Sequence, residues 1–175
     1  MPKIIENLKE HLLAETGRQL EAGGYEAVTI RSIASACSVG VGTVYNYFAS
    51  KEALVAAYLL EDWTLCMERI RAKADASPTS EPVMRCMYEE LVGYAARHAS
   101  VFHDKAAEKG YANALGKYHA LLRTELAAPM EKFTPSPFAA EFIAENLLTW
   151  SMAGIAFGEL WELLKKHTIE WDHKT

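Results

Sequence analysis

Apolar residues recur every three or four positions along almost the whole chain, and no stretch alternates apolar and polar residues in the manner of a strand. A spacing of three and four places apolar side chains on one face of an α-helix. Leu8, Leu12, Thr16 and Leu20 form the first such series, which ends at the glycine pair 23–24. The pattern therefore predicts an all-α protein.

The helix boundaries follow from capping and breaking residues. Thr29 and Ser50 are good N-caps, and Gly17 inside the first helix predicts a close approach by a neighbouring helix. The helices predicted after the first cover residues 30–37, 41–47, 51–74, 82–98, 100–109, 112–132 and 138–167. The short proline-rich link 134–137 predicts that the last two are antiparallel. We expect a three-helix domain over residues 1–50 and a helical bundle over residues 51–175.

Composition excludes several classes of protein. Half of the 175 residues are hydrophobic, with only 10 Gly and 6 Pro, which excludes disorder and low-complexity sequence. The balance of 18 basic and 23 acidic residues gives a net charge of −5, so any contact with DNA must be local. Three cysteines without a C-x-x-C spacing argue against a disulfide scaffold or a thiolate zinc site and favour a reducing cytoplasm.

No cofactor, metal or membrane is expected. The longest uncharged window, between Glu145 and Glu159, is shorter than the roughly 20 residues that span a bilayer, and the N-terminus lacks the order of a signal peptide. The single E-x-x-H pair, Glu170 and His173, has no partner motif for a metal. The stretch 40–42 begins like a dinucleotide fingerprint, but Tyr45 replaces its third glycine.

Two short helices joined by a tight turn are the elements of a helix-turn-helix, whose second helix enters the major groove of DNA. The second helix should expose small or hydrogen-bonding residues and bury the others against the helix before it. Val44 and Phe48 fit the buried side. The residues that fit the exposed side are Val41, Gly42, Thr43, Tyr45, Asn46 and Tyr47.

Residues 24–34, 42–48 and 50–54 together resemble the TetR family of bacterial repressors. The resemblance covers about residues 12–54 by motif and the rest only by a helical pattern of suitable length. It implies a cytoplasmic, ligand-responsive and homodimeric transcriptional regulator, most simply a repressor, whose partners are double-stranded operator DNA, a second copy of itself and a small molecule of unknown identity.

The resemblance also assigns DNA-binding roles, which the chemistry of the residues allows. Thr29 can present its hydroxyl and nearby backbone N–H groups to a phosphate, and Arg31 can reach a guanine edge or a phosphate. Thr43, Tyr47 and Lys51 are expected to contact phosphates, whereas Val41, Gly42 and Tyr45 are expected to read bases. Two positions depart from the family pattern: Ser38 stands where the turn often has glycine, and Gly40 stands where a serine cap is frequent.

The rest of the chain is expected to hold the ligand and the partner subunit. The candidate ligand-binding residues, for which bundle core and pocket lining are equally good interpretations, are Trp63, Met67, Met84, Tyr88, Phe102, Tyr118 and Trp150. Their number favours an apolar or aromatic ligand. The candidate dimer-interface residues on the last two helices are Phe138, Phe142, Leu147, Trp161 and Leu164.

One alternative to a regulator stays open at this point. A helical enzyme or small-molecule carrier could retain a hairpin like a helix-turn-helix as scaffold. Cys37 and Cys66 are expected to be small buried apolar residues rather than redox sensors, because no basic neighbour in sequence would lower the pKa of either thiol.

Overall fold

The computed structural model describes residues 7–102 and 119–172, with side chains up to residue 170. Within these residues the secondary structure is helical and contains no strand, which confirms the predicted all-α class. No helix of this part of the chain is long and apolar enough to cross a membrane. The α-helices are α1 (Leu8–Ala27), α2 (Ile30–Ala36), α3 (Val41–Tyr45), α4 (Lys51–Ala76), α5 (Ser80–Arg97), α6 (Ala99–Phe102), α7 (119–127), α8 (Pro137–Met152), α9 (Phe157–Leu164) and α10 (Ile169–Asp172), with 3-10 helices at Ala128–Phe133 and Lys165–His167.

The chain forms two compact units, each with its own hydrophobic core. Of the described residues, 7–62 and 98–102 form the first unit, and 63–97 and 119–172 form the second. The domain boundary after residue 50 stays a prediction, but the packing boundary lies further on, inside α4. The reason is that Leu54 and Val55 at the start of α4 are buried in the core of the first unit.

Helices α1, α2 and α3 and the start of α4 build the first unit around Leu12, Ile33 and Val44. A Cβ atom built at Gly17 of α1 would lie 2.7 Å from the Cε2 atom of Tyr58 in α4. The predicted close approach of a helix at Gly17 is therefore confirmed. The glycine pair predicted to end the first helix contains a break in helical geometry at Gly24, with φ at +70°, before α1 resumes to Ala27.

The second unit has a core rich in methionine. Met67 from α4, Met84 and Met87 from α5, and Met130 from the first 3-10 helix are almost completely buried together with apolar residues of α8 and α9. Glu170 ties the C-terminal segment to the start of α5, because its carboxylate accepts hydrogen bonds from the Ser80 backbone N–H and hydroxyl, both at 2.7 Å. The predicted helices 100–109 and 112–132 are described only up to Phe102 and from residue 119 onward, and the rest of each lies outside the described residues.

The sequence leaves open whether the last predicted helix, over residues 138–167, is continuous or broken near Gly154 and Gly158, and the structure shows that it is broken. Helix α8 ends at Met152, Gly154 adopts a left-handed φ of +81°, and α9 begins at Phe157. The Gly154 N–H donates to the Ser151 carbonyl, which closes the end of α8. Glycine reaches this conformation without the steric cost that other residues carry, so the chain can turn here.

Candidate nucleic-acid interface

Helix α2 begins at a complete capping box formed by Thr29 and Ser32. The Ser32 backbone N–H donates to Thr29 Oγ1 at 2.9 Å, and the Thr29 backbone N–H donates to Ser32 Oγ at 3.0 Å. The box supplies partners for two backbone N–H groups at the helix start. Thr29 Oγ1 also lies 3.0 Å from Ser32 Oγ, so the hydroxyl predicted to face a phosphate already has partners inside the protein.

The turn between α2 and α3 has the two local features that the sequence indicated. Ser38 adopts a left-handed φ of +56°, in the place where glycine would carry no strain. Gly40 is the N-cap of α3 and provides no side-chain hydrogen bond. The Val39 N–H donates to the Ala34 carbonyl at 2.9 Å, which closes the end of α2 despite the strained residue.

Helix α3 has one buried face and one exposed face. Val44 is fully buried, and Phe48 just beyond the helix is also buried, so both anchor α3 to the core of the first unit. The predicted readers Val41, Gly42 and Tyr45 are exposed, as are Asn46 and Tyr47, whereas Thr43 is half-buried. Tyr45 is 53% exposed and Tyr47 is 49% exposed. Two large aromatic side chains exposed side by side are unusual, because such side chains are usually more buried than this.

Lys51 at the start of α4 has a contact inside the protein. Its Nζ atom lies 3.8 Å from the centre of the Tyr25 ring, and the Tyr25 hydroxyl donates to Glu52 Oε1 at 3.4 Å. A hydrogen bond from Ser50 is the largest cause that lowers the pKa of Glu52. Glu52 is therefore ionised at neutral pH and partly offsets the charge of Lys51.

The surface around α3 carries a modest positive charge. Arg31 on α2 is exposed, and residues 27–51 contain Arg31 and Lys51 but no acidic residue. Two cations per chain can neutralise only a few DNA phosphates. Useful affinity would then require two chains on two half-sites.

The arrangement of α2, the tight turn and α3 is a helix-turn-helix. A family model described as bacterial regulatory proteins, tetR family, matches residues 12–58. The N-terminal part of this chain belongs to the TetR family. The repressor KstR from Rhodococcus jostii, which is described as an HTH-type transcriptional repressor, is 35% identical over 77 residues, covering 44% of this chain and 34% of KstR. The match thus spans about a third of the length of this curated relative.

Solved TetR-family structures share the fold over most of the chain. The TetR-family repressor AlkX from Dietzia sp. strain DQ12-45-1b, implicated in biodegradation of n-alkanes, superposes with a TM-score of 0.63 at 17% identity, covering 90% of this chain and 98% of AlkX. The regulator FadR from Bacillus subtilis, solved in complex with stearoyl-CoA, gives a TM-score of 0.52 at 17% identity, covering 89% and 96%. The helix-turn-helix followed by a helical bundle is therefore the TetR fold.

The predicted ligand-binding residues do not gather at one place. Trp63, Met67 and Met84 are buried in the core of the second unit, and Tyr88 is half-buried beside it. Trp150 is exposed on α8. Phe102 is exposed and belongs to the first unit, and Tyr118 lies outside the described residues.

A cavity of about 310 Å³ opens on the second unit, but none of these residues is among those that line it. Its lining residues are Ser77, Pro78, Lys132, Phe133, Ile169 and Glu170. Trp63 instead donates its indole N–H to Glu125 Oε2 at 2.5 Å and packs edge-on against Tyr94. A carboxylate partner for a buried indole was not indicated by the sequence pattern.

The prediction of dimer-interface residues needs correction at two positions. Leu147 is 0% and Leu164 is 3% exposed, because both point into the core of their own unit, so neither is available to a partner. Trp161 is half-buried against the same core. Phe138 and Phe142 on α8 remain exposed, at 77% and 38%, although the Phe142 ring also packs against His167 at a centroid distance of 4.8 Å.

The expectation that Cys66 has no basic neighbour in sequence is wrong, since Arg69 lies only three positions away. The thiol is buried, as predicted, but the Arg69 and Arg97 guanidinium groups both donate to its Sγ atom at 3.4 Å. Arg97 is 31 positions away in sequence, so only the packing of α4 against α5 brings it to the thiol. Cys37 is only half-buried, so the prediction of burial is not met there, although burial still raises the pKa of its thiol.

Proposed function

We propose that this protein is a ligand-responsive transcriptional repressor that binds operator DNA as a homodimer through α3. The single observation that carries the proposal is the division of α3 into two faces. Val44 and Phe48 fix the helix to the core, while Val41, Tyr45 and Tyr47 are left exposed beside it. Large apolar and aromatic side chains exposed next to a tight turn are expected where a surface meets a macromolecule.

The individual contacts follow from exposure and chemistry. Val41, Gly42 and Tyr45 would meet base edges or thymine methyl groups, with Asn46 beside them. Thr43, Tyr47 and Lys51 would contact phosphates, and Arg31 would reach a phosphate or a guanine edge. Thr29 would contribute mainly by holding the start of α2, since its hydroxyl is engaged in the capping box.

The outward face of α8 is the proposed dimer interface. Phe138, Phe142 and Met152 recur at helical spacing on the face opposite Leu147, and all three are exposed. On α9, a Cβ atom built at Gly158 would meet nothing within 4 Å, so the packing of a single chain does not require glycine there. A small residue on an open surface would allow a second copy to approach closely.

The proposed ligand is a small apolar or aromatic molecule held in the second unit. Support comes from the methionine-rich core around Met67 and Met84, because unbranched thioether side chains adapt to inserted apolar groups. Helix α4 would carry the signal, since it contributes residues to both compact units. FadR, which shares the fold alone, is an example of such a bundle solved with an acyl ligand.

The named relative is a transcriptional repressor rather than an enzyme, which favours regulation over the enzyme or carrier alternative. A regulator of this kind acts on the chromosome, and we therefore propose the cytoplasm as its location.

The test begins by selecting duplexes from a random-sequence DNA library with the full chain. The selected duplex is then titrated at two salt concentrations. Arg31→Ala and Tyr45→Ala should each weaken specific binding by about 1–3 kcal/mol. Lys51→Ala should weaken all duplexes alike and flatten the salt dependence. Leu65→Ala, on an exposed position of α4 outside the interface, is the control. Unchanged affinity in all three folded variants would contradict the proposal.

A further inference from the structure

A series of hydrogen bonds between side chains links α1 to the first turn of α2, and it starts from an ion pair. The Arg18 guanidinium donates to both carboxylate oxygens of Glu15, at 2.8 and 2.5 Å. Glu15 also accepts from the Gln19 side-chain amide at 2.7 Å. The Ser32 hydroxyl of α2 then donates to Gln19 Oε1 at 2.6 Å.

The direction of each hydrogen bond in this series follows from whether each group can donate or only accept. Glu15 is ionised at neutral pH, because its bonds to Arg18 are the largest cause that lowers its pKa, and an ionised carboxylate only accepts. The Gln19 amide must therefore turn its NH₂ group towards Glu15 and its oxygen towards Ser32. The Ser32 hydroxyl has one proton, and the Gln19 oxygen at 2.6 Å is nearer than the Thr29 carbonyl at 2.9 Å.

The lone pairs of Ser32 are then left to accept from Thr29, whose backbone N–H and hydroxyl both lie 3.0 Å from Ser32 Oγ. The capping box of α2 is thus attached to α1 through the hydrogen bond from Ser32 to Gln19, while at the other end of α2 the Cys37 thiol donates to the His11 carbonyl of α1 at 3.7 Å. Apolar contacts of Ile30 and Ile33 hold the other side of the helix. Because a helix of seven residues has little stability of its own, its orientation depends on such tertiary contacts.

We propose that Gln19 is a positioning residue for DNA binding, acting through Ser32 to hold the first turn of α2, and with it Arg31, in the orientation that meets the duplex. The inference rests on the proposed function, because it assigns a role in the same DNA contact. Gln19 itself is half-buried on α1 and need not touch DNA.

The decisive variant is Gln19→Met, which keeps the size of the side chain and removes both polar links. Without the Gln19 oxygen, the Ser32 proton can turn to the Thr29 carbonyl, so the capping box and the fold should persist. We expect binding of the duplex selected by the wild-type chain to weaken roughly 3–10-fold, because only one of the two lost hydrogen bonds, that from Ser32, holds α2. The salt dependence should stay unchanged, because no charge is removed.

Two further variants separate positioning from general stability. Thr16→Val lies one turn earlier in α1 and removes the hydrogen bond from the Thr16 hydroxyl to the Leu12 carbonyl, so it tests loss of a polar contact away from α2. Its affinity for the selected duplex should match that of the wild type. The double variant Gln19→Met with Ser32→Ala should bind no more weakly than Ser32→Ala alone, because Gln19 acts through Ser32.

All affinities are measured at a temperature at which circular dichroism shows each variant to be fully folded. If Gln19→Met binds like the wild type, or weakens binding equally with and without the Ser32 hydroxyl, the positioning role is wrong while the proposed function stands. If the wild-type chain selects no duplex at all, the proposed function fails and this inference fails with it.

Discussion

Ser38 holds the turn between α2 and α3 in a left-handed conformation that costs a residue with a Cβ about 1 kcal/mol or more. Ser38→Gly should therefore raise the free energy of unfolding, by about 0.5–1 kcal/mol after the entropy of glycine in the unfolded chain is included. Ser35→Gly, inside α2, is the matched control and should lower it by a similar amount. Urea unfolding of the two variants measures both, and destabilisation by Ser38→Gly would contradict the prediction.

Glu90 gives stability a dependence on pH. Two hydrogen bonds from Arg69, both at 2.7 Å, are the largest cause that lowers its pKa below the ordinary value of 4.5. A carboxyl whose pKa is lower in the folded chain adds stability above its unfolded pKa and loses it as the pH falls through the folded pKa. We expect thermal stability to fall as the pH drops below about 4.5, and to fall less in Glu90→Gln.

The control for this effect is Glu81→Gln, which removes an exposed pair with Arg85 on one face of α5. Exposed pairs of this kind contribute little to stability. If Glu81→Gln changes the loss of thermal stability at acid pH as much as Glu90→Gln does, the contact between Arg69 and Glu90 is not the cause of that loss.

At the scale of elements, the break between α8 and α9 depends on one glycine and not on its neighbour. Gly154 has a φ of +81°, so Gly154→Ala should lower the free energy of unfolding by about 1–2 kcal/mol. Gly158 lies in α9, where an added Cβ meets nothing within its own chain, so Gly158→Ala should be neutral or stabilising by up to about 1 kcal/mol when both glycine variants are made in a chain kept monomeric by Phe138→Glu. Denaturant unfolding of both variants checks the prediction, and equal effects would contradict it.

The outward face of α8 is the element that a second copy is proposed to cover. Phe138 is 77% exposed, so Phe138→Glu leaves the core of its own chain intact while placing a charge on this face. We expect that variant to sediment as a monomer at micromolar concentration. Trp150→Glu, exposed on another side of the same helix, is the control and should stay dimeric. A wild-type chain that sediments as a monomer would refute the interface.

At the scale of the whole molecule, ligand and DNA must oppose each other if the protein is a repressor released by its ligand. By linkage, a compound that weakens operator binding must itself bind more weakly to the DNA-bound protein, by the same factor. Apolar and aromatic compounds that raise the melting temperature should be titrated by calorimetry with and without the selected duplex. Equal affinities in the two states for every compound would exclude this form of control.

The local sequence determined the helical class and most limits of the first four helices. Thr29 and Ser50 could be interpreted correctly as N-caps because capping depends on a few neighbouring residues, whereas Ser38 was singled out by the resemblance to the family. The exposed and buried faces of α3 followed from helical spacing for the same reason, with Val44 buried and Tyr45 exposed. Period alone could say which residues share a face, but not what that face would meet.

Only the tertiary structure decided the contacts between distant parts of the chain. Leu147 and Leu164 were predicted to face a partner but fill the core of their own unit, because an apolar stripe is equally suited to either environment. Arg97 reaches Cys66, and Gln19 reaches Ser32, across sequence separations of 31 and 13 positions. Such contacts depend on how helices pack against one another, and that packing is set by the summed fit of many side chains rather than by any local signal.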